Sequence, residues 1–335
     1  MNSSPVFIVG APRSGTTLAA KILGKHSRLF MPGETHYFDD IFSNQAKSSV
    51  PEDDESRQSI ATRLFTLYER YYELEDQKRI NKLFGNPQKL AEAIKDCGNH
   101  CQILEQFMKI QQESEGKCRW GNNAPRDIFN VSEIRACFPN CKIIICVRDV
   151  RAFLLSYKGK WKVTGESHSA RLKRLYHPVV TSLLWKASMI KLKQIQEEVP
   201  SDSVLIVKYE DLVGNPERTV NKICACIEEK FEPSMLDVES QNSSYGSGGT
   251  GIFSTSVDRW VKGLDPQEIW IAQLLCRSEM ELLGYKMEKV NINYFRVALT
   301  FIMTPYALLR ALHANKESRG PLIPYLIRRL ATFFR

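Results

Sequence analysis

The sequence predicts an α/β fold in three layers, with helices on both sides of a central parallel sheet. Apolar, β-rich runs stand at 6–9, 143–147 and 204–207, and a polar turn and then a helical pattern follow each of them. Strands that alternate with helices in this way are typical of parallel sheets, whose central strands are buried on both faces. We therefore expect ligands to bind where the carboxyl ends of the strands meet.

Composition and charge limit the classes of function. The chain has 335 residues, of which 43% are apolar or aromatic and 25% are charged, so it has the length and composition of a large globular domain rather than a disordered protein. Its net charge of +8 suits an anionic ligand, a nucleic acid or a membrane surface equally well. Because no nucleic-acid-binding module is recognisable, we expect no nucleic acid partner.

The cysteines and the N-terminus predict a cytoplasmic protein. None of the nine cysteines has zinc-ribbon or Cys-x-x-Cys spacing, so we interpret them as mostly buried thiols in a reducing compartment. The first apolar run is too short for a signal peptide and is broken by Pro12 and Arg13. The loop that follows stands too near Met1 to leave room for an anchor ahead of it.

The turn after the first strand has the features of a phosphate-binding loop. Gly10 and Gly15 allow a tight backbone, and the N–H groups of Gly15, Thr16 and Thr17 open a predicted helix. The spacing equals that of the nucleotide-binding P-loop, Gly-x-x-x-x-Gly-Lys-[Ser/Thr], except that Thr16 replaces the lysine. That replacement disfavours a small-molecule kinase using ATP and Mg²⁺, and Arg13 supplies a cation instead. The alternative is an ordinary strand–helix turn.

Residues 12–18, Pro-Arg-Ser-Gly-Thr-Thr-Leu, resemble the 5′-phosphosulfate loop of sulfotransferases that use 3′-phosphoadenosine 5′-phosphosulfate (PAPS). The resemblance implies a P-loop-like fold and PAPS as the sulfuryl donor. Because a sulfuryl group carries less negative charge than a phosphoryl group, we expect no metal. The residues that it implies in contact with the donor are Arg13, Ser14, Gly15, Thr16, Thr17 and Leu18.

A short second strand is predicted at 29–31, followed by Pro-x-Glu-x-His-x-Phe. This segment resembles the catalytic segment of heparan-sulfate-type carbohydrate sulfotransferases, which implies that Glu34 is the general base. His36 is the competing base, since the ordinary pKa of histidine suits neutral pH. From about 39 to 116 the chain is polar with helical stripes, and we expect this insertion to form a lid on the acceptor side.

Two later segments resemble other parts of the same family. The Gly-Asp-Lys-Thr-Pro element of the family corresponds to residues 121–125 here, but Asn123 replaces its lysine. The strand and helix of 138–157 resemble the 3′-phosphate motif, which implies that Arg148 and Ser156 hold that phosphate. The alternatives for this segment are an Arg148–Asp149 ion pair that caps the helix, and a Mg²⁺-binding Asp149.

The chain after residue 239 is less regular. Residues 240–251 are rich in Gly and Ser and lead to Arg259-Trp260. The resemblance implies that Arg259 contacts the nucleotide. The alternative is that Trp260 packs in the interior and Arg259 lies on the surface.

Residues 291–335 carry seven Lys and Arg against one Glu, with apolar residues between them. We expect either peripheral membrane contact or a helix pair docked on the sheet.

The sequence therefore predicts a sulfotransferase domain at 1–290 with a basic C-terminal extension at 291–335. It would move a sulfuryl group from PAPS to the hydroxyl, or less commonly the amine, of a carbohydrate, glycolipid or small alcohol. The alternatives are a P-loop-type kinase and a non-catalytic nucleotide- or membrane-binding protein. The expected location is the cytoplasm, with membrane association through the extension.

Overall fold

The computed structural model of the chain describes residues 3–42, 54–71, 74–159, 175–238 and 257–314. The Gly/Ser-rich stretch at 240–251 and the basic stretch at 322–335, both singled out from the sequence, lie outside these ranges.

Five strands form one sheet in the order β2-β3-β1-β4-β5. The pairings of β1 with β3, of β1 with β4 and of β2 with β3 are all parallel, which confirms the predicted central parallel sheet. Every residue of β1 and β4 is buried, as the unbroken apolar runs predict. The strands are β1 Val6–Gly10, β2 Leu29–Phe30, β3 Arg119–Asn123, β4 Lys142–Val147 and β5 Val204–Lys208.

Helices flank the sheet and make up most of the rest of the described chain. The π-helix Tyr37–Phe42 and the 3₁₀ helices Pro125–Asn130 and Pro233–Leu236 supplement the α-helices. The α-helices are α1 Thr16–Gly24, α2 Asp54–Tyr71, α3 Leu74–Leu83, α4 Pro87–Ala93, α5 His100–Ser114, α6 Val131–Cys137, α7 Val150–Gly159, α8 Pro178–Glu198, α9 Tyr209–Gly214, α10 Pro216–Ile227, α11 Trp260–Gly263, α12 Pro266–Leu275, α13 Arg277–Leu282, α14 Tyr294–Ile302 and α15 Thr304–Ala314.

The chain divides into two compact units. The first comprises residues 1–146 and 195–238, and the second comprises 147–194 and 239–335. The first unit contains β1, β2, β3 and the helical insertion. The second contains α7, most of α8 and the C-terminal helices. The division predicted at residue 290 stays a prediction.

The insertion is helical, as predicted, and it is attached to the segment that contains Glu34. Arg63 of α2 binds the carboxylate of Asp40 through two hydrogen bonds of 2.7 and 2.6 Å. Asp76 of α3 accepts a hydrogen bond of 3.1 Å from the backbone N–H of Gly33. The insertion therefore holds the Glu34 segment on both sides. Its role as an acceptor lid stays a prediction.

Two of the cysteines, which the sequence predicts to be mostly buried thiols, form a disulfide. Cys101 of α5 is bonded to Cys137 at the end of α6, with Cα atoms 5.2 Å apart. The thiol interpretation is wrong for this pair, because the fold brings together two cysteines that are 36 residues apart in the chain. The other seven cysteines are free thiols, and five of them are buried.

Candidate active site

The loop between β1 and α1 has the tight backbone that the sequence predicts. Gly10 has a φ of 148°, and a Cβ atom there would lie 2.2 Å from the carbonyl oxygen of Cys146. Gly15 has a φ of 94° immediately before α1 begins at Thr16. Arg13 has a φ of 72°, a conformation that costs a non-glycine residue about 1–3 kcal/mol and is concentrated at functional sites. The loop thus requires glycine at both ends and holds Arg13 under strain.

Tyr209, which is distant from this loop in the sequence, packs against it. A Cβ atom on Gly15 would lie 2.6 Å from Cδ2 of Tyr209, so the aromatic ring packs directly against the glycine. Tyr209 begins α9 immediately after β5. The sequence carries no signal for this contact, because the two residues belong to motifs at opposite ends of the domain.

Two buried oxygen atoms lie in the loop and at the tip of β3. The side chain of Ser14 is fully buried and Asn123 is 2% exposed. The described residues provide no hydrogen-bond partner for Oγ of Ser14 or Oδ1 of Asn123. Leaving a buried polar atom unpaired costs about 1–3 kcal/mol, so both groups suit a bound polar molecule. The Ser14 hydroxyl can donate to an anionic oxygen, which fits a phosphosulfate in this loop.

Glu34 and His36 lie together, and Asp39 binds the other side of the imidazole. Nε2 of His36 is 3.3 Å from Oε2 of Glu34, and Nδ1 is 3.2 Å from Oδ1 of Asp39. Burial lowers the pKa of His36, but the hydrogen bonds and charges of Asp39 and Glu34 outweigh burial and raise that pKa to about 10. At neutral pH the imidazolium donates to both carboxylates and has no lone pair to accept a proton. This geometry favours Glu34 over His36 as the base.

A chain of buried hydrogen bonds fixes the same segment to the tip of β3. Thr35 Oγ1 donates to Asn122 Oδ1 at 2.8 Å, and Asn122 Nδ2 donates to Asp127 Oδ2 at 3.2 Å. Burial, followed by the charge of Asp39, raises the pKa of Asp127 well above its usual range. Arg126 Nη1 lies 3.5 Å from Asp39 Oδ2. Sequence reasoning placed Asn122 within the segment 121–125 but gave it no role, and it did not single out Asp127.

Arg148 and Ser156 belong to the second unit. Ser156 is buried on α7, and the backbone carbonyl of Arg148 accepts a hydrogen bond of 2.8 Å from the indole of Trp185. Asp149 caps α7 by accepting from the backbone N–H of Arg151 at 2.8 Å, and it also accepts from Nε of Arg151 at 2.9 Å. The carboxylate of Asp149 is thus engaged by Arg151. The 3′-phosphate roles of Arg148 and Ser156 stay predictions.

Trp260 packs within the second unit, as one of the two alternatives predicts. It is 6% exposed, and the guanidinium of Arg151 lies 3.9 Å from the centre of its ring. This distance is typical of a cation–π contact. Arg259 stands immediately before α11, and its contact with the nucleotide stays a prediction.

The parallel sheet and the glycine loop with its buried Ser14 hydroxyl define an α/β protein that suits a phosphate- or sulfate-bearing ligand. The sequence profile of the sulfotransferase family matches residues 5–233. The chain therefore belongs to the sulfotransferase family.

A curated relative agrees with this assignment. The chain is 24% identical over 274 residues to a protein-tyrosine sulfotransferase of Drosophila melanogaster, a match that covers 80% of this chain and 47% of that protein. It thus spans about half the length of this relative.

Two solved structures share the fold. The sulfotransferase domain from the curacin biosynthetic pathway matches with a TM-score of 0.56 and 19% identity, over 86% of this chain and 99% of that domain. The sulfotransferase domain of the Synechococcus PCC 7002 olefin synthase gives the same score and identity, with 86% and 97% covered. These matches confirm the predicted fold class.

Proposed function

We propose that the chain transfers a sulfuryl group from PAPS to a hydroxyl group of an acceptor. The observation that carries the proposal is the loop of residues 10–16. It has the backbone of a phosphate cradle and Thr16 in place of the lysine of an NTPase, and it occurs in a chain of the sulfotransferase family. PAPS would supply the activated sulfuryl group.

The loop residues would hold the 5′-phosphosulfate. Ser14 offers its buried hydroxyl, and Thr16, which is 2% exposed, stands in the first turn of α1 beside the positive end of the helix dipole. Arg13 adds a cation that would stabilise charge on the bridging oxygen as the sulfur–oxygen bond breaks. Arg148 and Ser156 would hold the 3′-phosphate. Thr17, Leu18 and Arg259 complete the proposed set.

Glu34 would act as the general base. As the acceptor oxygen bonds to sulfur and the bond to the nucleotide breaks, the carboxylate of Glu34 takes the hydroxyl proton. The Glu34 side chain is 33% exposed, so an acceptor can reach it. His36 would keep this carboxylate in place through the 3.3 Å ion pair, while Asp39 accepts a hydrogen bond from the other ring nitrogen at 3.2 Å.

The acceptor would be a carbohydrate, a glycolipid, a small alcohol or, less commonly, an amine. The name of the fly relative adds a tyrosine hydroxyl to the classes worth testing. The helical insertion supports an acceptor role for α2–α5, because Arg63 and Asp76 attach it to the Glu34 segment.

Specific contacts weigh against a kinase. A kinase of this architecture needs a carboxylate for Mg²⁺, and Asp149 is instead engaged by Arg151.

Membrane contact and location are separate proposals. A peripheral membrane contact through residues 291–335 is proposed from their basic and apolar composition, and the active site does not depend on it. A cytoplasmic location also stays a proposal, and the redox state of Cys101 and Cys137 tests the reducing compartment on which it depends.

Thermal unfolding tests the proposed donor. We expect the desulfonated nucleotide, 3′-phosphoadenosine 5′-phosphate (PAP), to stabilise the protein by about 2.7 kcal/mol at 100 times its Kd. ATP with Mg²⁺ at the same concentration should stabilise it much less. Stabilisation by ATP with Mg²⁺ alone would overturn the proposal in favour of a kinase.

A further inference from the structure

The last two described helices expose an unusual amount of apolar surface. α14 and α15 follow one another with a bend of 45° between them. Eight large apolar side chains on this pair, between 43% and 78% exposed, form what we call the outer face. These residues are Tyr294, Phe295, Leu299, Ile302, Met303, Tyr306, Leu308 and Leu309.

The opposite side of the pair is packed against the second unit. Val297 is buried together with Val179 and Ile271, and the partly buried Phe301 packs on the same cluster. Ala307 of α15 is also buried. The pair thus docks on α8 and α12 within the second unit. Docking on the sheet stays a prediction. The contacts with α8 and α12 already hold the two helices on the second unit. The outer face is not needed for this packing and is therefore available to a partner.

Charge identifies the kind of partner. The sequence has no acidic residue between positions 291 and 316, and residues 291–335 carry a net charge of +6. A second copy of this chain would bring two like-charged segments together. Anionic lipid headgroups would instead attract the arginines while the acyl region accepts the aromatic and aliphatic side chains.

The geometry indicates that the pair lies on a bilayer rather than across it. No single described helix is long and apolar enough to span a membrane, and the pair passes that test only when its two bent halves are taken together. The two helices, of 9 and 11 residues, meet at a bend of 45° and each has a side chain, Val297 or Ala307, buried on the packed side. Only one side of the pair is therefore left for lipid.

We propose that the outer face of α14 and α15 docks on an anionic membrane surface and inserts its apolar side chains into the boundary between headgroups and acyl chains. Arg296, which is exposed on α14, would contact the headgroups. This contact does not rest on the sulfotransferase activity, so either proposal can fail without the other. It would hold the enzyme beside acceptors in the same membrane.

Vesicle co-sedimentation of the full chain tests this proposal. We expect binding to vesicles of equal parts phosphatidylcholine and phosphatidylserine, weaker binding to phosphatidylcholine alone, and loss of binding as salt rises. Changing Phe295 and Ile302 together to Ser should weaken binding by at least about tenfold, because two large apolar side chains no longer enter the lipid. Leu282→Ser, at a position that is 56% exposed on α13, is the matched control and should bind like the wild type.

Several results would overturn the proposal. One is absence of binding to anionic vesicles, and another is unchanged binding by the double variant. A third is a dimer in light scattering that the double variant abolishes, because a second copy would then cover the outer face. If circular dichroism shows that the double variant is misfolded, Tyr306→Ser takes its place, with weaker vesicle binding expected and unchanged binding contradicting the proposal.

Discussion

Nε2 of His36 lies 3.3 Å from Oε2 of Glu34, and the opposite ring nitrogen lies 3.2 Å from Oδ1 of Asp39. The imidazole is thus enclosed by two carboxylates, which keep it protonated far above the ordinary pKa of histidine. A protonated ring cannot act as a base, but it can hold a neighbouring base in place. The proposed division of roles between Glu34 and His36 follows from this arrangement.

Replacing the carboxylate of Glu34 should remove most of the activity and spare nucleotide binding. A general base typically contributes about 10²–10⁴-fold to the rate, so Glu34→Gln should lower kcat by that factor while the Kd for PAP stays unchanged. Transfer of labelled sulfate from PAPS to an accepted hydroxyl measures the first quantity. Glu217→Gln, at an exposed position on α10, is the control. Full turnover in Glu34→Gln would place the base elsewhere.

The ion pairs of His36 should make stability depend on pH. The folded-state pKa of about 10 lies above the unfolded value near 6.5, so this contribution is fully present below pH 6.5 and lost as the pH rises through 10. Asp39→Asn lowers that folded-state pKa. Its destabilisation in urea unfolding should therefore be larger at pH 6 than at pH 10.

The control for this prediction is Asp40→Asn, because Asp40 binds Arg63 rather than the imidazole. Its destabilisation should change little between the two pH values. Equal destabilisation by Asp39→Asn at pH 6 and pH 10 would show that His36 is not held protonated by this pair.

The loop should reject a side chain at position 15 for two reasons. Gly15 has a positive φ, and a Cβ atom there would also overlap the ring of Tyr209. Gly116 has a positive φ of 64° but has no atom within 4 Å of the position of its Cβ, so Gly116→Ala reports backbone strain alone. We expect Gly15→Ala to be more destabilising than Gly116→Ala in urea unfolding, and to weaken PAP binding. Equal destabilisation would argue against the Tyr209 contact.

Thiol counting should reveal the disulfide between α5 and α6. The denatured chain should react at seven cysteines without reductant and at nine after reduction. Changing Cys101 and Cys137 together to Ser should lower the free energy of unfolding by about 2–4 kcal/mol, as is typical for loss of a disulfide. Nine reactive thiols in the freshly purified, unreduced protein would favour the reducing compartment that the sequence predicts.

Much of the fold was predictable because its central strands are apolar. The runs at 6–9 and 143–147 mark β1 and β4 within a residue, since a buried parallel strand needs an apolar side chain on both faces. β3 was missed because it begins with a buried Arg119. Nε and Nη1 of Arg119 donate to the carbonyls of Ser4 and Ile227, each at 2.5 Å, and Nη1 also lies 3.2 Å from the carboxylate of Glu229. These contacts let a charged residue occupy a buried strand position, which hydropathy does not predict.

The candidate site was predictable only in part, because some of its residues are brought together only by the fold. Glu34 and His36 stand in a recognisable segment, but their partners do not. Asp127 is identified by its burial, and Tyr209 by its contact with Gly15. Both properties arise when distant parts of the chain meet, and no local pattern of residues encodes them.

The proposed function requires the chain to bind an adenosine nucleotide that carries a 3′-phosphate. The most direct measurement is a calorimetric titration with two nucleotides, PAP and adenosine 5′-phosphate, which lacks the 3′-phosphate. Each nucleotide is titrated into the wild type, into Arg148→Ala and into the exposed control Arg277→Ala. A charge-assisted hydrogen bond contributes about 1.5–3 kcal/mol, so PAP should bind at least about tenfold more tightly than adenosine 5′-phosphate to the wild type and the control. Arg148→Ala should lose most of that preference. Equal affinities of the wild type for the two nucleotides would show that the chain does not recognise the 3′-phosphate.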